Sequence, residues 1–172
     1  MPRSAGVAMP NVCIRPVTRD DAAEIARIYN HYIRATVVTF EEQEVTDGEM
    51  VRRFDAIAGC ALPWLVAQRA DRVVGYAYAD RWKQRSAYRR SVESTIYLHP
   101  DYTGAGIGTR LYRQLLAQLP ASIHTVIGGI AQPNVASVTL HERLGFSKVA
   151  HFRDVGFKFE RWIDVGYWQR QR

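Results

Sequence analysis

Residues 96–111 read IYLHPDYTGAGIGTRL, an apolar strand that passes through a glycine-rich turn into a helix. Glycines let the backbone approach a ligand closely and present its N–H groups. The N-terminus of the following helix adds a partial positive charge, so the stretch predicts a cradle for a pyrophosphate. The spacing matches neither the G-x-G-x-x-G dinucleotide fingerprint nor the Walker P-loop. A tight turn without a ligand is the alternative explanation of these glycines.

Hydrophobic periodicity on both sides of the turn predicts alternating strands and helices in the order β-α-α-β-β-β-α-β-α-β-β. Strands are expected at residues 12–17, 64–68, 72–81, 92–98, 123–130, 146–153 and 157–168, and helices at 18–33, 46–57, 106–119 and 134–144. This order indicates an α+β fold with a mixed, mostly antiparallel central sheet flanked by helices. Parallel pairing is required around the two central strand–helix units.

Length and composition indicate one folded domain at residues 12–172 behind a flexible tail at residues 1–11. The chain has 172 residues, of which 47% are hydrophobic and 23% charged, so it can bury a core. The tail lacks the apolar segment of a secretory signal, and no apolar run reaches the roughly 18 residues that span a bilayer. Cys13 and Cys60 show no metal-like spacing, which fits a reducing, cytoplasmic location.

The glycine turn at residues 103–108 resembles the acetyl-CoA signature Q/R-x-x-G-x-G/A of the GNAT acetyltransferase superfamily, and the order of elements is similar to that fold. Thr103 stands where the family has Arg or Gln, which removes a side-chain contact but leaves the backbone cradle. Residues 133–146 resemble the segment in which a family Asn and Ser contact the CoA arm. The resemblance implies acetyl-CoA as the cofactor. The residues implied to bind it are Ile96, Tyr97, Leu98, Thr103, Gly104, Ala105, Gly106, Ile107, Gly108, Asn134 and Ser137.

Asn134 also has the position of a plain helix cap, which needs no cofactor. The two roles are compatible if its backbone caps the helix while its side chain reaches the pantetheine arm of the cofactor.

A narrower resemblance, to the phosphinothricin N-acetyltransferase subfamily, extends over nearly the whole chain after Val12. The similar segments are residues 27–32, 39–41, 63–67, 74–79, 82–88, 92–97, 156–158 and 162–168. That subfamily acetylates the α-amine of phosphinothricin, methionine sulfoximine and methionine sulfone. The resemblance therefore implies a small amino-acid-like acceptor and a homodimer.

Basic and aromatic side chains are expected to bind this acceptor, namely Phe40, Lys83, Arg85, Tyr88, Thr95 and Tyr97. Lys83 and Arg85 can receive its carboxylate and its anionic or polar group, and Tyr88 can donate a hydrogen bond. The alternative is a solvated basic face or a nucleic-acid patch, because the net charge is +6 and exposed Lys and Arg are common. No recognised nucleic-acid motif appears, and neither a nucleic acid nor a membrane is an expected partner.

Glu93 lies in the predicted strand before the glycine turn, on one strand face with Thr95 and Tyr97. An amino-acid ammonium must lose a proton before it accepts an acetyl group, and burial raises the pKa of a carboxylate towards that of a useful base. In the resembling subfamily this Glu is the proposed general base. The alternative is a Glu on the exposed face of the strand.

His141 occupies the helix position at which many GNAT enzymes have a Tyr, and the phosphinothricin subfamily is similar to this sequence in having His there. It is expected to protonate the leaving thiolate or to bind the acceptor's carboxylate. A packed histidine is the alternative. No pair of histidines forms a credible metal site. Neither cysteine lies in a nucleophile motif, so direct attack of the amine is expected, with backbone N–H groups near residues 97–98 meeting the oxyanion.

The leading hypothesis is therefore an acetyl-CoA-dependent N-acetyltransferase for an amino-acid analogue. The alternatives keep the enzyme class with another small amine or a protein N-terminus as acceptor. A polyamine would require an acidic pocket, which the basic pair at 83 and 85 disfavours. A non-catalytic CoA-binding module is disfavoured because Glu93 is present.

Overall fold

Seven strands form one sheet in this computed structural model, which describes residues 11–172. The strands are Cys13–Pro16 (β1), Trp64–Arg69 (β2), Arg72–Arg81 (β3), Ser91–Leu98 (β4), Thr125–Ala131 (β5), Ser147–Lys158 (β6) and Arg161–Gln171 (β7). The helices are Ala22–Ala35 (α1), Asp47–Gly59 (α2), Ile107–Gln118 (α3) and Val135–Arg143 (α4), with 3-10 turns at Arg19–Asp21, Ser86–Tyr88 and Pro100–Tyr102.

The order of strands across the sheet is β1-β2-β3-β4-β5-β7-β6. β4 and β5 are parallel, and the other neighbouring strands pair antiparallel. This arrangement confirms the predicted α+β fold with a mixed, mostly antiparallel sheet.

Two helical layers cover the sheet, and the middle strands are apolar on both faces for that reason. Along β2, Leu65 packs in the cluster that holds α3, whereas its neighbour Val66 packs in the cluster that holds α1 and α2. Both side chains are fully buried, at 1% and 0% exposure. Side chains one residue apart on a central strand therefore reach different layers, and this alternation fixes the face on which each functional residue lies.

The last hairpin is longer than the sequence pattern predicted. The break expected between residues 153 and 157 is a bulge within β6, where Asp154 has a φ of 48°. The reversal lies at Phe159 and Glu160, whose φ values are 51° and 57°. Positive φ at both central residues is typical of a tight hairpin turn, which usually contains Asn and Gly. A Phe-Glu pair gives no such signal, so the boundary was misplaced.

The predicted flexible tail covers residues 1–11, and all of it except Asn11 lies outside the described residues. Among the helices described for residues 11–172, none combines the length and the apolar character needed to cross a membrane. Cys13 and Cys60 are free thiols. The cytoplasmic location stays a prediction.

Removing the Leu111 side chain tests the packing of α3 on the sheet. Leu111 has 0% exposure within the larger apolar cluster. We expect Leu111→Ala to lower the free energy of unfolding by about 2–5 kcal/mol, because it leaves a cavity under the helix. Urea unfolding measures the change. Arg113→Ala, on the exposed side of the same helix, is the control and should shift stability by no more than about 0.5 kcal/mol. Equal effects of the two substitutions would contradict this packing.

Candidate active site

The site begins where the two parallel strands of the sheet separate. β4 and β5 pair at Ser91 with Thr125, at Val92 with Val126 and at Glu93 with Ile127. Beyond these pairs β4 continues to Leu98 alongside β3 alone, and β5 continues to Ala131 alongside β7. The inner backbone edge of each strand is therefore left facing a wedge-shaped gap, which we call the split.

A buried pair of hydroxyl groups closes the narrow end of the split. The Ser94 hydroxyl lies 3.2 Å from the Ile127 carbonyl oxygen, to which it donates, and 2.5 Å from the Tyr112 hydroxyl. Tyr112 comes from α3 and is completely buried. A side-chain hydrogen bond thus takes the place of the next backbone hydrogen bond between the strands. Through Tyr112, α3 is attached at the point of separation.

Glu93 is the last β4 residue to pair with β5, and its side chain is half-buried. Burial raises the pKa of its carboxyl, the nearby Lys83 charge lowers it, and the Asp80 charge raises it. Asp80 stands directly opposite Glu93 on β3. The net result is a carboxylate with a raised pKa at the narrow end of the split, which is the behaviour expected of a general base.

Adjacent glycines of β5 make room for functional side chains on the two faces of the sheet. A Cβ on Gly128 would lie 2.5 Å from Nε2 of His141, and a Cβ on Gly129 would lie 3.1 Å from Oε1 of Glu93. Successive strand residues point to opposite faces. Glu93 and His141, both predicted to be catalytic, therefore flank the split from opposite sides of the sheet.

His141 is buried at 3% exposure between α4 and the sheet. Its Nδ1 lies 2.8 Å from the Ser137 carbonyl oxygen, which requires a proton on Nδ1. Burial lowers the pKa of the imidazole, so the ring is neutral and Nε2 carries a lone pair. Within the described residues Nε2 has no hydrogen-bond partner. A buried acceptor in this state is suited to a donor from a ligand in the split.

The glycine turn has the geometry of a ligand cradle. Gly104 and Gly106 have φ values of 76° and 77°, a conformation that side chains with a Cβ rarely adopt. Gly106 is the N-cap of α3, and the first N–H groups of a helix lack partners within it. The space where a Gly104 Cβ would stand is open. Exposed N–H groups and open space fit the pyrophosphate that the sequence predicts here.

The side chain of Thr103, the residue that departs from the family signature, forms a hydrogen bond within the loop that leads into the glycine turn. Its hydroxyl donates to the Pro100 carbonyl oxygen at 3.0 Å. Ile96 and Leu98 place their side chains against the α3 layer. The predicted cofactor contacts in this region thus come from backbone rather than from side chains.

Asn134 caps α4 through its side chain as well as through its backbone, whose carbonyl oxygen accepts a hydrogen bond from the Val138 N–H at 3.0 Å. Its Oδ1 accepts a hydrogen bond from the Ser137 backbone N–H at 3.0 Å. The side-chain oxygen is therefore engaged by the helix, and the amide NH₂ is the group left for the predicted contact with the cofactor.

The predicted acceptor residues Lys83, Arg85 and Tyr88 lie in the exposed segment between β3 and β4. Lys83 holds its ammonium 4.6 Å from the centre of the Trp82 ring. Arg85 is the N-cap of a 3-10 turn that contains Tyr88. The cluster is solvated, as the alternative interpretation expected. The Trp82 ring that Lys83 contacts lies 5.5 Å from the ring of Tyr167, which stands opposite Gly129.

The other predicted acceptor residues are spread along the same sheet face. Tyr97 is enclosed by rings of Tyr29, Tyr32 and Tyr76, at centroid distances of 5.2, 5.0 and 5.6 Å. Its side chain thus belongs to the packing under α1. Thr95 stands opposite Tyr78 on β3. Phe40 is 41% exposed and covers Gly156, where a Cβ would overlap its ring.

Three aromatic residues near Glu93 were not among the predicted site residues. Tyr167 stands opposite Gly129 on β7, and its ring lies 5.5 Å from Trp82 and 5.6 Å from Phe152. The two glycines inside a predicted strand were the available signal, because glycine there often marks a close approach of another group.

A metal-dependent reaction has no obvious centre in this part of the chain. Among residues 11–172, no three or more His, Cys, Asp or Glu side chains are grouped so that they could hold a metal ion.

Comparison with known proteins identifies the fold and the family. Residues 14–166 match the family model described as acetyltransferase (GNAT) domain. The phosphinothricin N-acetyltransferase of Streptomyces viridochromogenes is 40% identical over 158 residues, which cover 91% of this chain and 86% of that protein. The L-methionine sulfoximine/L-methionine sulfone acetyltransferase of Salmonella typhimurium is 33% identical, with coverage of 92% and 93%.

A solved structure shows the same architecture with its cosubstrate. The GNAT superfamily phosphinothricin acetyltransferase from Sinorhizobium meliloti, in complex with AcCoA, superposes with a TM-score of 0.88 at 34% identity, covering 93% of this chain and 88% of that one. The predicted fold, cofactor and enzyme class are confirmed. The chain belongs to the GNAT acetyltransferase family.

Proposed function

We propose that this acetyl-CoA-dependent N-acetyltransferase acetylates the α-amine of phosphinothricin or a related amino-acid analogue, such as methionine sulfoximine or methionine sulfone. The observation that carries the proposal is the position of Glu93, a half-buried carboxylate of raised pKa where the strands separate. The names of the relatives from Streptomyces viridochromogenes and Salmonella typhimurium support this class of acceptor.

Glu93 acts in this proposal as the general base. It takes a proton from the acceptor's ammonium, directly or through a water molecule, and so frees the nitrogen lone pair. A raised pKa makes the carboxylate a better match to this task than an exposed Glu would be. Acetyl-CoA supplies the activated thioester that the amine attacks.

The attack is direct, without an acetylated enzyme. Cys13 lies on β1, which β2 and β3 separate from β4, and Cys60 lies at the end of α2. Neither thiol borders the split. Backbone N–H groups on the free edge of β4, near residues 97–98, are placed to stabilise a developing oxyanion.

Lys83 and Arg85 give the acceptor site its preference for anionic groups. An amino-acid analogue carries a carboxylate and, in phosphinothricin, a phosphinate, and an Arg fork matches both geometries. These exposed cations between β3 and β4 attract such an acceptor and orient it with its amine towards Glu93. The hydroxyl of Tyr88 adds a donor at the same edge.

His141 serves as a hydrogen-bond acceptor rather than as the acid. Its Nδ1 proton is committed to the Ser137 carbonyl, and a neutral ring has no second proton to give to a thiolate. Its Nε2 lone pair is left for a donor group of the bound cosubstrate. This assignment differs from both functions that the sequence left open, because a lone pair can neither protonate a thiolate nor bind a carboxylate.

A homodimer accompanies the proposed function. The β6–β7 hairpin exposes several large apolar side chains, Phe152, Val155, Phe157, Phe159 and Trp162, each at 50–63% exposure. The rings of Phe157 and Trp162 contact each other at an interplanar angle of 59°, with centroids 4.9 Å apart. A patch of this kind on a soluble domain favours association, and a second copy of the chain is the occupant we propose.

The acceptor assignment is tested by thiol release from acetyl-CoA with a panel of amines. We expect turnover of phosphinothricin, methionine sulfoximine or methionine sulfone ahead of standard amino acids and spermidine. Glu93→Gln should lower kcat by about 10²–10⁴-fold, because the base is lost while the shape is kept.

Asp71→Asn, in the exposed turn between β2 and β3, is the matched control and should leave kcat unchanged. Turnover of none of the three analogues would refute the narrow acceptor assignment. Full activity of Glu93→Gln would refute the general base.

Substitutions beside Glu93 should move the acidic limb of the pH profile of kcat/KM in opposite directions. Activity needs the Glu93 carboxylate deprotonated, so it is lost as pH falls through its pKa. The Lys83 charge lowers that pKa, and hence Lys83→Met should shift the limb to higher pH. The Asp80 charge raises it, and hence Asp80→Asn should shift the limb to lower pH. Shifts in the same direction would show that another group governs the limb.

Sedimentation of a hairpin variant tests the homodimer. We expect the wild type to sediment as a dimer and Trp162→Asp to sediment as a monomer, because a buried unpaired carboxylate disfavours the interface. Arg113→Asp, on the exposed side of α3, should stay dimeric. A wild type that is monomeric at micromolar concentration would contradict the proposal.

A further inference from the structure

The open space above Gly129 is bounded by Glu93 and by Tyr167, a residue to which the reaction described so far gives no function. Gly129 is exposed although it lies within a central strand. A Cβ at this position would stand 3.1 Å from Oε1 of Glu93 and 3.2 Å from Cε1 of Tyr167. A carboxylate oxygen and an aromatic ring therefore converge on one small region of the sheet face.

Tyr167 belongs to a group of three aromatic rings. Tyr167 contacts Trp82 and Phe152 edge to face, at interplanar angles of 76° and 83°. Burial and the neighbouring Glu93 charge both raise the pKa of the Tyr167 phenol, so the ring is uncharged. Glu93 is thus the carboxylate that approaches Gly129 together with the Tyr167 ring, and Asp80 stands opposite it on β3.

We propose that Gly129 and Tyr167 form the floor of the acceptor site and that this floor receives the acceptor's ammonium group beside Glu93. The inference rests on the acetyltransferase function proposed above and adds two residues to it. Gly129 determines which groups fit, and Tyr167 binds the cation.

An ammonium group is the chemistry that fits these surroundings. Glu93 can accept its hydrogen bonds, whereas it would repel a carboxylate or a phosphinate at the same place. Aromatic rings attract cations. One ring of this group already does so, because the Lys83 ammonium lies 4.6 Å from the centre of the Trp82 ring. The acceptor's anionic groups are then directed outwards, to Lys83 and Arg85.

The neighbouring glycine provides an internal comparison. Gly128 lies on the same strand and faces His141 on the opposite side of the sheet, where a Cβ would collide with the imidazole. If the two faces serve different ligands, a methyl group on Gly129 obstructs the acceptor, and a methyl group on Gly128 obstructs the cosubstrate. Both substitutions add the same volume to the same strand.

The experiment measures the binding of methionine sulfone to the enzyme saturated with CoA, and separately the binding of acetyl-CoA, by calorimetry. We expect Gly129→Ala to raise the dissociation constant of methionine sulfone about tenfold or more and that of acetyl-CoA less than about twofold. Gly128→Ala should show the reverse order. A Gly129→Ala variant that weakens both ligands equally would overturn the assignment of the floor.

Tyr167 is tested with a ligand that lacks the ammonium. We expect Tyr167→Leu to raise the dissociation constant of methionine sulfone about two- to thirtyfold, and Tyr167→Phe, which keeps the ring, to recover most of that loss. The desamino analogue of methionine sulfone should bind equally to the wild type and to Tyr167→Leu. Equal weakening of both ligands by Tyr167→Leu would show a structural role and overturn the proposal.

Binding and turnover separate this inference from the function on which it rests. If the wild type binds methionine sulfone with the expected sensitivity to Gly129 and Tyr167 but does not acetylate it, the acceptor assignment fails and the ammonium floor stands. If the wild type binds none of methionine sulfone, phosphinothricin, methionine and spermidine in the presence of CoA, the floor itself is refuted.

Discussion

Parallel strands β4 and β5 pair over three residues and then separate, and each group of the candidate site takes its position from that separation. A strand edge buried without partners is costly, because its N–H and C=O groups lose their bonds to water. At the split, the free edges of β4 and β5 offer backbone groups that a bound ligand can engage. The hydroxyl groups of Ser94 and Tyr112 hold its narrow end closed, so the separation begins at a fixed residue.

Burial shifts the pKa values of the two ionisable groups at the split in opposite directions, but in both groups it favours the neutral form. It raises the pKa of Glu93 and lowers the pKa of His141, and in each case the neutral form gains. A carboxylate with a raised pKa accepts a proton more readily, and a neutral imidazole offers a lone pair, so both groups are suited to act as acceptors. Because the two groups lie on opposite faces of the sheet, each is free to serve a different ligand.

The features that the sequence predicted correctly are those with local signals. Helices, strands and the family signature have signals within short segments; the structure confirms the order of the elements, and the match to the GNAT family model confirms the family. The turn at Phe159 and Glu160 was missed because its positive φ values are imposed by the pairing of β6 with β7 and not by turn residues.

The set of residues that meet at the site was harder to predict from the sequence than the fold, because it depends on the tertiary structure. Alternation along a strand shows that Glu93 and Ser94 point in opposite directions, but it does not say which helical layer lies on which side. Capping by the Asn134 side chain and the approach of Tyr167 to Gly129 also required the fold. The functions of these residues stay proposals.

The Gly128–Gly129 pair restricts the substitutions by which this protein could become more stable to heat. Each glycine inside a strand destabilises the folded state by about 0.5–1 kcal/mol relative to alanine, because it loses more backbone entropy on folding. Both glycines therefore lower the stability of β5 in the middle of the sheet. Stabilising substitutions are commonly found at such positions. Here both replacements meet functional side chains, on one face an imidazole and on the other a carboxylate. A more thermostable descendant would therefore gain its stability at other positions and keep both glycines of β5.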